Sequence, residues 1–220
     1  MKKGFTLAEV LITLGIIGIV AAMTMPSLIQ NYKKKEYSTR LKRFYSTMSQ
    51  AVKLSEIDND TVLNWNYTAN LDKESSEPTN IFLKKYILPY IKQYELSDNE
   101  TLEMGPLAEY KLIGIKFSDG SIAYFKNGIC LDIYYDVNGK KGPNKMGTDI
   151  YTFALAMSGD YIYLRNAGKT FIAWGSYTNT KEKYENYEFQ YNACKTDTWA
   201  CARALQMNNW EYQKDYPYKL

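Results

Sequence analysis

The sequence predicts an α+β fold in which one long N-terminal helix lies against an antiparallel β-sheet meander. Three observations carry this prediction. No charged residue occurs from Val10 to Tyr32, and at about 1.5 Å rise per residue that run is long enough to cross a hydrocarbon core of roughly 30 Å as a helix. Beyond it, Tyr37, Leu41, Phe44, Met48, Ala51 or Val52, and Ser55 recur at spacings of three and four, the pattern of an amphipathic helix that offers one stripe to a core. After Gly105-Pro106, apolar runs alternate with Gly, Asn, Asp and Ser turns, which is how an antiparallel sheet with short connections reads.

In chain order, Lys2 and Lys3 precede the apolar run, and Glu9 stands at its start. A carboxylate there is expensive and should be paired or functional. A secretory signal peptide would have a shorter apolar region, a small-residue cleavage site and no acid at its start, and Ala21-Ala22-Met23 is a poor version of such a site. An ordinary signal anchor accounts for the length but not for Gly4-Phe5 or Glu9. A buried core helix rarely follows two lysines at an extreme N-terminus. Residues 5–32 are therefore read as a transmembrane helix, 33–57 as its amphipathic continuation, and 58–220 as a single α/β head large enough for its own core. Lys33, Lys34, Lys35, Arg40, Lys42 and Arg43 supply the other faces of the continuation, read as a solvated helix face in preference to one that binds lipid headgroups.

Residues 58–78 are polar and read as a surface loop. Thr79 is placed to cap a second helix with Ile81, Phe82, Tyr86, Tyr90 and Ile91 on its apolar side and Pro89 bending it. Strands are expected at 110–117, at 121–125 after the turn Ser118-Asp119-Gly120-Ser121, at 129–137, at 150–157, and at 161–164 after Ser158-Gly159-Asp160. One face of this sheet must be covered, and the amphipathic half of the N-terminal helix is the element available. In the tail, residues 201–207 suit a helical turn against the core.

Composition excludes several functions. The chain has no histidine, which removes Ser-His-Asp and Cys-His nucleophiles and every His-ligated zinc site. A net charge of +3 gives no case for nucleic-acid binding. Asp119, Asp132, Asp136 and Asp149 supply carboxylates, but no spacing makes any two of them an acid and base pair, so no enzyme activity is expected. Aromatic residues make up 15% of the chain, with 21 tyrosines, which suits an exposed, contact-making surface. Of the three cysteines, Cys194 and Cys201 bracket a short loop and Cys130 lies in a strand-like run. In an oxidising compartment the natural count is one Cys194–Cys201 disulfide plus one buried thiol, and the alternative is three reduced cysteines.

Between the expected third and fourth strands, Asp136, Asn138, Asn144 and Asp149 place oxygen ligands on a glycine-bearing loop. Such a loop suits a hard, flexibly coordinated cation, Ca2+. Lys140, Lys141 and Lys145 oppose a dication, no Glu stands at the twelfth position of the loop, and a turn fastened by side-chain to backbone bonds explains the same residues.

The segment Lys3-Gly4-Phe5-Thr6-Leu7-Ala8-Glu9-Val10-Leu11 resembles the class III signal of type IV prepilins and type II secretion pseudopilins. The resemblance implies a pilin-like fold. It implies that residues 1–4 form a leader, that prepilin peptidase cuts between Gly4 and Phe5 on the cytoplasmic side, and that Phe5 is N-methylated. Glu9 would then pair with the terminal amine of a neighbouring Phe5 as subunits enter a homo- or hetero-oligomeric filament, so that the two charges neutralise each other in an apolar bundle. Pro26 falls where such helices kink or locally melt. The resemblance further implies an inner-membrane assembly platform and membrane lipid as partners, no required cofactor, and a head outside the cytoplasm. The positive-inside rule, comparing Lys2 and Lys3 with Lys33 to Lys35, points the other way. The loop at 136–149 resembles the calcium loop of some major pseudopilins, and the cysteine loop loosely matches a disulfide-closed pilin C-terminal region. The function implied is a pseudopilin or minor pilin of a type II secretion or type IV pilus filament. The alternative is a membrane-anchored extracytoplasmic binding or adhesion protein with a calcium-stabilised head.

Overall fold

The computed structural model describes residue 4 and residues 6–67, 73–159, 168–176 and 180–220. Its spine is helix α1, Leu7–Asn59. The first half of α1 is exposed on all sides, and the second half buries Tyr37, Leu41, Phe44, Met48, Ala51, Val52 and Ser55, the stripe that the three-and-four spacing predicts. The helix passes Pro26 without a break, so the local melting implied there is not seen. Just upstream, the hydroxyl of Thr24 donates to the Val20 carbonyl at 2.9 Å.

The head is a six-stranded antiparallel meander, ordered β1 (Tyr94–Glu100), β2 (Leu112–Phe117), β3 (Ile122–Asn127), β4 (Leu131–Asp136), β5 (Ile150–Leu155) and β6 (Phe171–Ala173). Four strands lie where the alternation places them, each within a few residues. The expected strand at 161–164 falls outside the described residues. β1 and β6 lie on the two edges of the sheet and were not expected. β1 is mostly polar, with only Tyr94 and Leu96 packing on the core, as suits an edge that must not recruit another strand, and β6 is only three residues long.

The sheet is covered on both faces, not one. Ile113, Ala123, Phe125, Ile133 and Tyr135 point into the main core beneath α1. Their neighbours Leu112, Ile122, Tyr124 and Tyr134 form a second core with Leu102 and Leu107, and Trp199 packs against it. The period of two is kept, but both sets are apolar. The cover on the second face comes from a loop and two short 3-10 turns that carry no long-range periodic signal.

Helix α2 is Glu77–Tyr86, with Pro78 in its first turn. It starts ahead of Thr79, which is buried and not a cap, while Ile81 is exposed. Pro is tolerated in a first turn because its missing N–H has no partner there, and this moves the start upstream. Tyr90 and Ile91 lie beyond the helix, in and after a 3-10 turn at Leu88–Tyr90 that contains Pro89. The tail forms α3 (Lys181–Tyr184), α4 (Tyr187–Cys194) and α5 (Cys201–Met207). The last of these matches the helical turn expected at 201–207.

Candidate functional site

The N-terminal end of α1 is built by a reciprocal cap. Thr6 is extended, and its hydroxyl accepts from the Glu9 backbone N–H at 3.2 Å. Glu9 Oε2 accepts in return from the Thr6 backbone N–H at 2.8 Å and from its hydroxyl at 2.9 Å. Two N–H groups that a helix start leaves open are thereby satisfied. Sequence reasoning singled out Glu9 and missed Thr6, although Thr6-Leu7-Ala8-Glu9 has the Thr-x-x-Glu spacing of a capping box. Gly4 is exposed with open space around it, and Phe5 lies outside the described residues. From Leu7 through Val20 every residue is exposed. This helix is long and apolar enough to cross a membrane and buries none of its most apolar window in the head.

The other place where candidate residues gather is the loop between β4 and β5. Asp136 and Asp149 are both buried. Asp149 Oδ2 accepts the Asn144 backbone N–H at 2.8 Å, and its Oδ1 accepts that of Lys145 at 2.6 Å. Asp136 Oδ1 accepts the Asn138 N–H at 3.1 Å. Asn138 Nδ2 donates to the Tyr37 hydroxyl and the Gly142 carbonyl, each at 2.9 Å, and reaches Asp149 Oδ2 at 3.5 Å. Asn144 turns its own Oδ1 to the Gly142 N–H at 3.2 Å. The structure thus joins Asp136, Asn138 and Asp149, and it brings in Asn144 through its backbone.

Burial pushes the Asp136 carboxyl up to about 7; the Asn138 N–H bond opposes the rise, and the charge of Asp149 adds to it. The Oδ1 of Asn138 is buried without a hydrogen-bond partner among the described residues. For a cation, the site offers this oxygen and two buried carboxylates, but no group of three or more Asp, Glu, His or Cys converges among the described residues. The protein's own N–H groups hold the turn closed.

Loop, helix and tail are fastened together. Arg40 Nη1 donates to the Val137 carbonyl at 2.6 Å while Nη2 pairs with Glu36 at 2.7 Å. The Tyr216 hydroxyl donates to the Gly147 carbonyl at 2.6 Å, and the Tyr151 and Tyr212 hydroxyls meet at 2.7 Å. Gly147 has φ +76°, and a Cβ there would lie 2.8 Å from the Tyr218 ring, so only glycine fits. Lys34 donates to the Gln213 carbonyl at 3.3 Å, tying the end of the chain to α1.

Cys194 and Cys201 form a disulfide, with Cα atoms 4.7 Å apart. Cys130 is buried just before β4 and takes no part in it. Inside the disulfide loop, the Trp199 carbonyl accepts from the Thr152 hydroxyl at 3.2 Å, and the Trp199 ring meets Tyr134 edge-on at 5.7 Å.

Comparison with known proteins gives two family matches. Residues 1–25 match the prokaryotic N-terminal methylation motif, the type IV prepilin signal. Residues 27–220 match a family described as a family of unknown function (DUF6613). No curated protein and no solved structure matches the chain. With its prepilin signal, its exposed apolar helix and its helix-on-sheet head, the chain is a pilin-like or pseudopilin-like precursor, and it belongs to the DUF6613 family.

Proposed function

We propose that the protein is a pseudopilin or minor pilin of a type II secretion or type IV pilus filament, with a structural rather than catalytic role. The carrying observation is the methylation motif running without a break into a helix whose N-terminal half is apolar and whose most apolar window buries nothing in the head. Such a helix needs a membrane before assembly and a bundle of its own kind after it. On this reading prepilin peptidase removes residues 1–4 and Phe5 is methylated. The assembly platform lifts the subunit from lipid, and Glu9 exchanges Thr6 for the amine of a neighbouring Phe5. The Cys194–Cys201 disulfide supports a head outside the cytoplasm, where such bonds persist. Intact-mass analysis of the membrane-bound form tests the processing: the mass should correspond to a chain starting at methylated Phe5, and retention of Lys2 and Lys3 would refute it. Glu9→Val should insert normally and fail to enter filaments, and normal assembly of that variant would remove the pairing role.

A calcium ion at the β4–β5 loop is a second element of the proposal. It is favoured by two buried carboxylates, with Asp136 made costlier to ionise by burial and by the charge of Asp149, and by the Asn138 Oδ1, which has no hydrogen-bond partner among the described residues. Asp136, Asn138 and Asp149 would hold the ion, with the Asn144 side chain turning to it. Binding to the folded state alone raises thermal stability by mass action. Calcium should therefore raise the melting temperature of the parent but not of Asp136→Ala or Asp149→Ala. Identical curves in calcium, magnesium and chelator would leave a turn held by its own backbone.

A further inference from the structure

The basic stretch after the apolar run is not used by the filament reading. Between residues 33 and 43 six cations stand against one acid, Glu36. Tyr32, Lys35, Thr39 and Arg43 follow one another at spacings of three and four and so share one face of α1, and all four are exposed. They line a groove of about 390 Å3 closed by Glu36, Arg40 and, from the β2–β3 turn, Asp119. The acids are already engaged: Glu36 with Arg40 at 2.7 Å, and Asp119 with the Ser121 hydroxyl at 2.6 Å. The other Asp119 oxygen, Oδ2, forms a loose ion pair with Arg43 at 3.7 Å, and the Arg43 side chain stays 65% exposed. Lys35 and Arg43 are thus the accessible cations of the groove.

Position decides what they meet. If the membrane ends near Tyr32, Lys35 stands about 5 Å beyond it, inside the headgroup layer that adds roughly 5–8 Å to each side of the hydrocarbon core. Arg43 stands about 16 Å beyond Tyr32, and its long side chain can reach down towards that layer. Tyr32, 69% exposed, has the amphipathic ring that favours this boundary.

The geometry points to a docking groove for the phosphate headgroup of an anionic phospholipid, formed by Tyr32, Lys35, Thr39 and Arg43 at the base of the head. It rests on the membrane-anchored reading and holds the subunit upright in lipid before extraction. Because each basic residue strengthens binding at an anionic surface by roughly fivefold, loss of both cations should cut retention of the anionic lipid by about twenty- to thirtyfold.

The test uses the full chain in nanodiscs of phosphatidylcholine with or without phosphatidylglycerol, with lipid retained on the released protein read by native mass spectrometry. The parent should keep phosphatidylglycerol selectively. Lys35→Gln with Arg43→Gln should lose that selectivity, and Lys84→Gln with Lys85→Gln, which removes equal charge elsewhere, should keep it. Equal retention in parent and double variant, or equal loss in the control pair, overturns the groove and leaves the filament reading intact. Failure of the chain to enter discs overturns both. Displacement by inorganic phosphate but not by chloride at equal ionic strength would mark a free-phosphate site and overturn the lipid assignment.

Discussion

Phe44→Ala tests whether α1 is the structural spine of the head as well as its anchor. Phe44 is 3% exposed and stacks on Tyr135 at 4.0 Å between ring centres, with Phe117, Phe153 and Phe171 edge-on at 5.7, 5.0 and 6.3 Å. Truncating a buried Phe to Ala costs about 3–5 kcal/mol in lost transfer and cavity terms. Its ring contacts add roughly 0.5–1.5 kcal/mol per well-placed pair, so the upper part of that range applies, about 4–5 kcal/mol. For a chain of this size each kcal/mol lowers the melting temperature by about 2–4 °C, which gives a drop of roughly 8–20 °C. The assay is denaturant unfolding of the full chain in detergent followed by tryptophan fluorescence, with Glu9→Val alongside as a control at the exposed end of α1. Phe44→Ala should move the midpoint strongly and Glu9→Val hardly at all. A loss below about 1 kcal/mol for Phe44→Ala would show that the sheet folds without its helix, and the spine argument would fail.

Replacing both Cys194 and Cys201 by Ser should destabilise the head by about 2–3 kcal/mol on the loop-closure account, and non-reducing peptide mapping of the parent should recover this pair without Cys130. Asp136 gives a pH dependence: its folded carboxyl is pushed up to about 7 from an ordinary 3.8, so between those values the folded state holds a proton the unfolded chain has released. Stability from this group is full below about pH 4, falls as pH rises to about 7 and is level above it. With chelator present, Asp136→Asn should flatten that slope and gain about 2 kcal/mol or more at pH 8, as read from urea midpoints between pH 4 and 8.

What the sequence disclosed follows from which signals are periodic. The α1 stripe was legible to the residue because three-and-four spacing survives over five turns and only one face meets the sheet. β2 to β5 were legible because apolar side chains recur along them. β1 was not, since Tyr94–Glu100 is an edge strand whose polar composition reads as loop. The second core was hidden for a related reason: Leu102, Leu107 and Trp199 cover the outer face from a loop and two short 3-10 turns, and nothing in their spacing links them to Tyr124 or Tyr134. At the β4–β5 loop, residue types named the right cluster. They did not show that backbone N–H groups would take both oxygens of Asp149, because those donors belong to every sequence alike. Only the fold decides where they point.

Thr6 shows how a single short motif can carry two duties, and it yields the last prediction. In the lone subunit its N–H and hydroxyl both bond Glu9 Oε2, so the carboxylate is satisfied before any neighbour arrives. Docking that pairs Glu9 with another subunit's amine must offset the loss of these bonds, and the net gain is the difference between two charge-assisted arrangements rather than the whole of one. Thr6→Ala removes the side-chain cap, at a typical cost of about 0.5–2 kcal/mol, whereas Thr6→Ser keeps it. If the cap's main role is to hold the first turn wound so that Glu9 faces its partner, Thr6→Ala should reduce filament yield several-fold and Thr6→Ser should restore it, with insertion unchanged in both. If Thr6 instead only competes for the carboxylate, Thr6→Ala should assemble as well as the parent or better. Quantifying sheared or cross-linked filaments against membrane-resident subunit decides between them, and a gain on removing the hydroxyl would refute the positioning role.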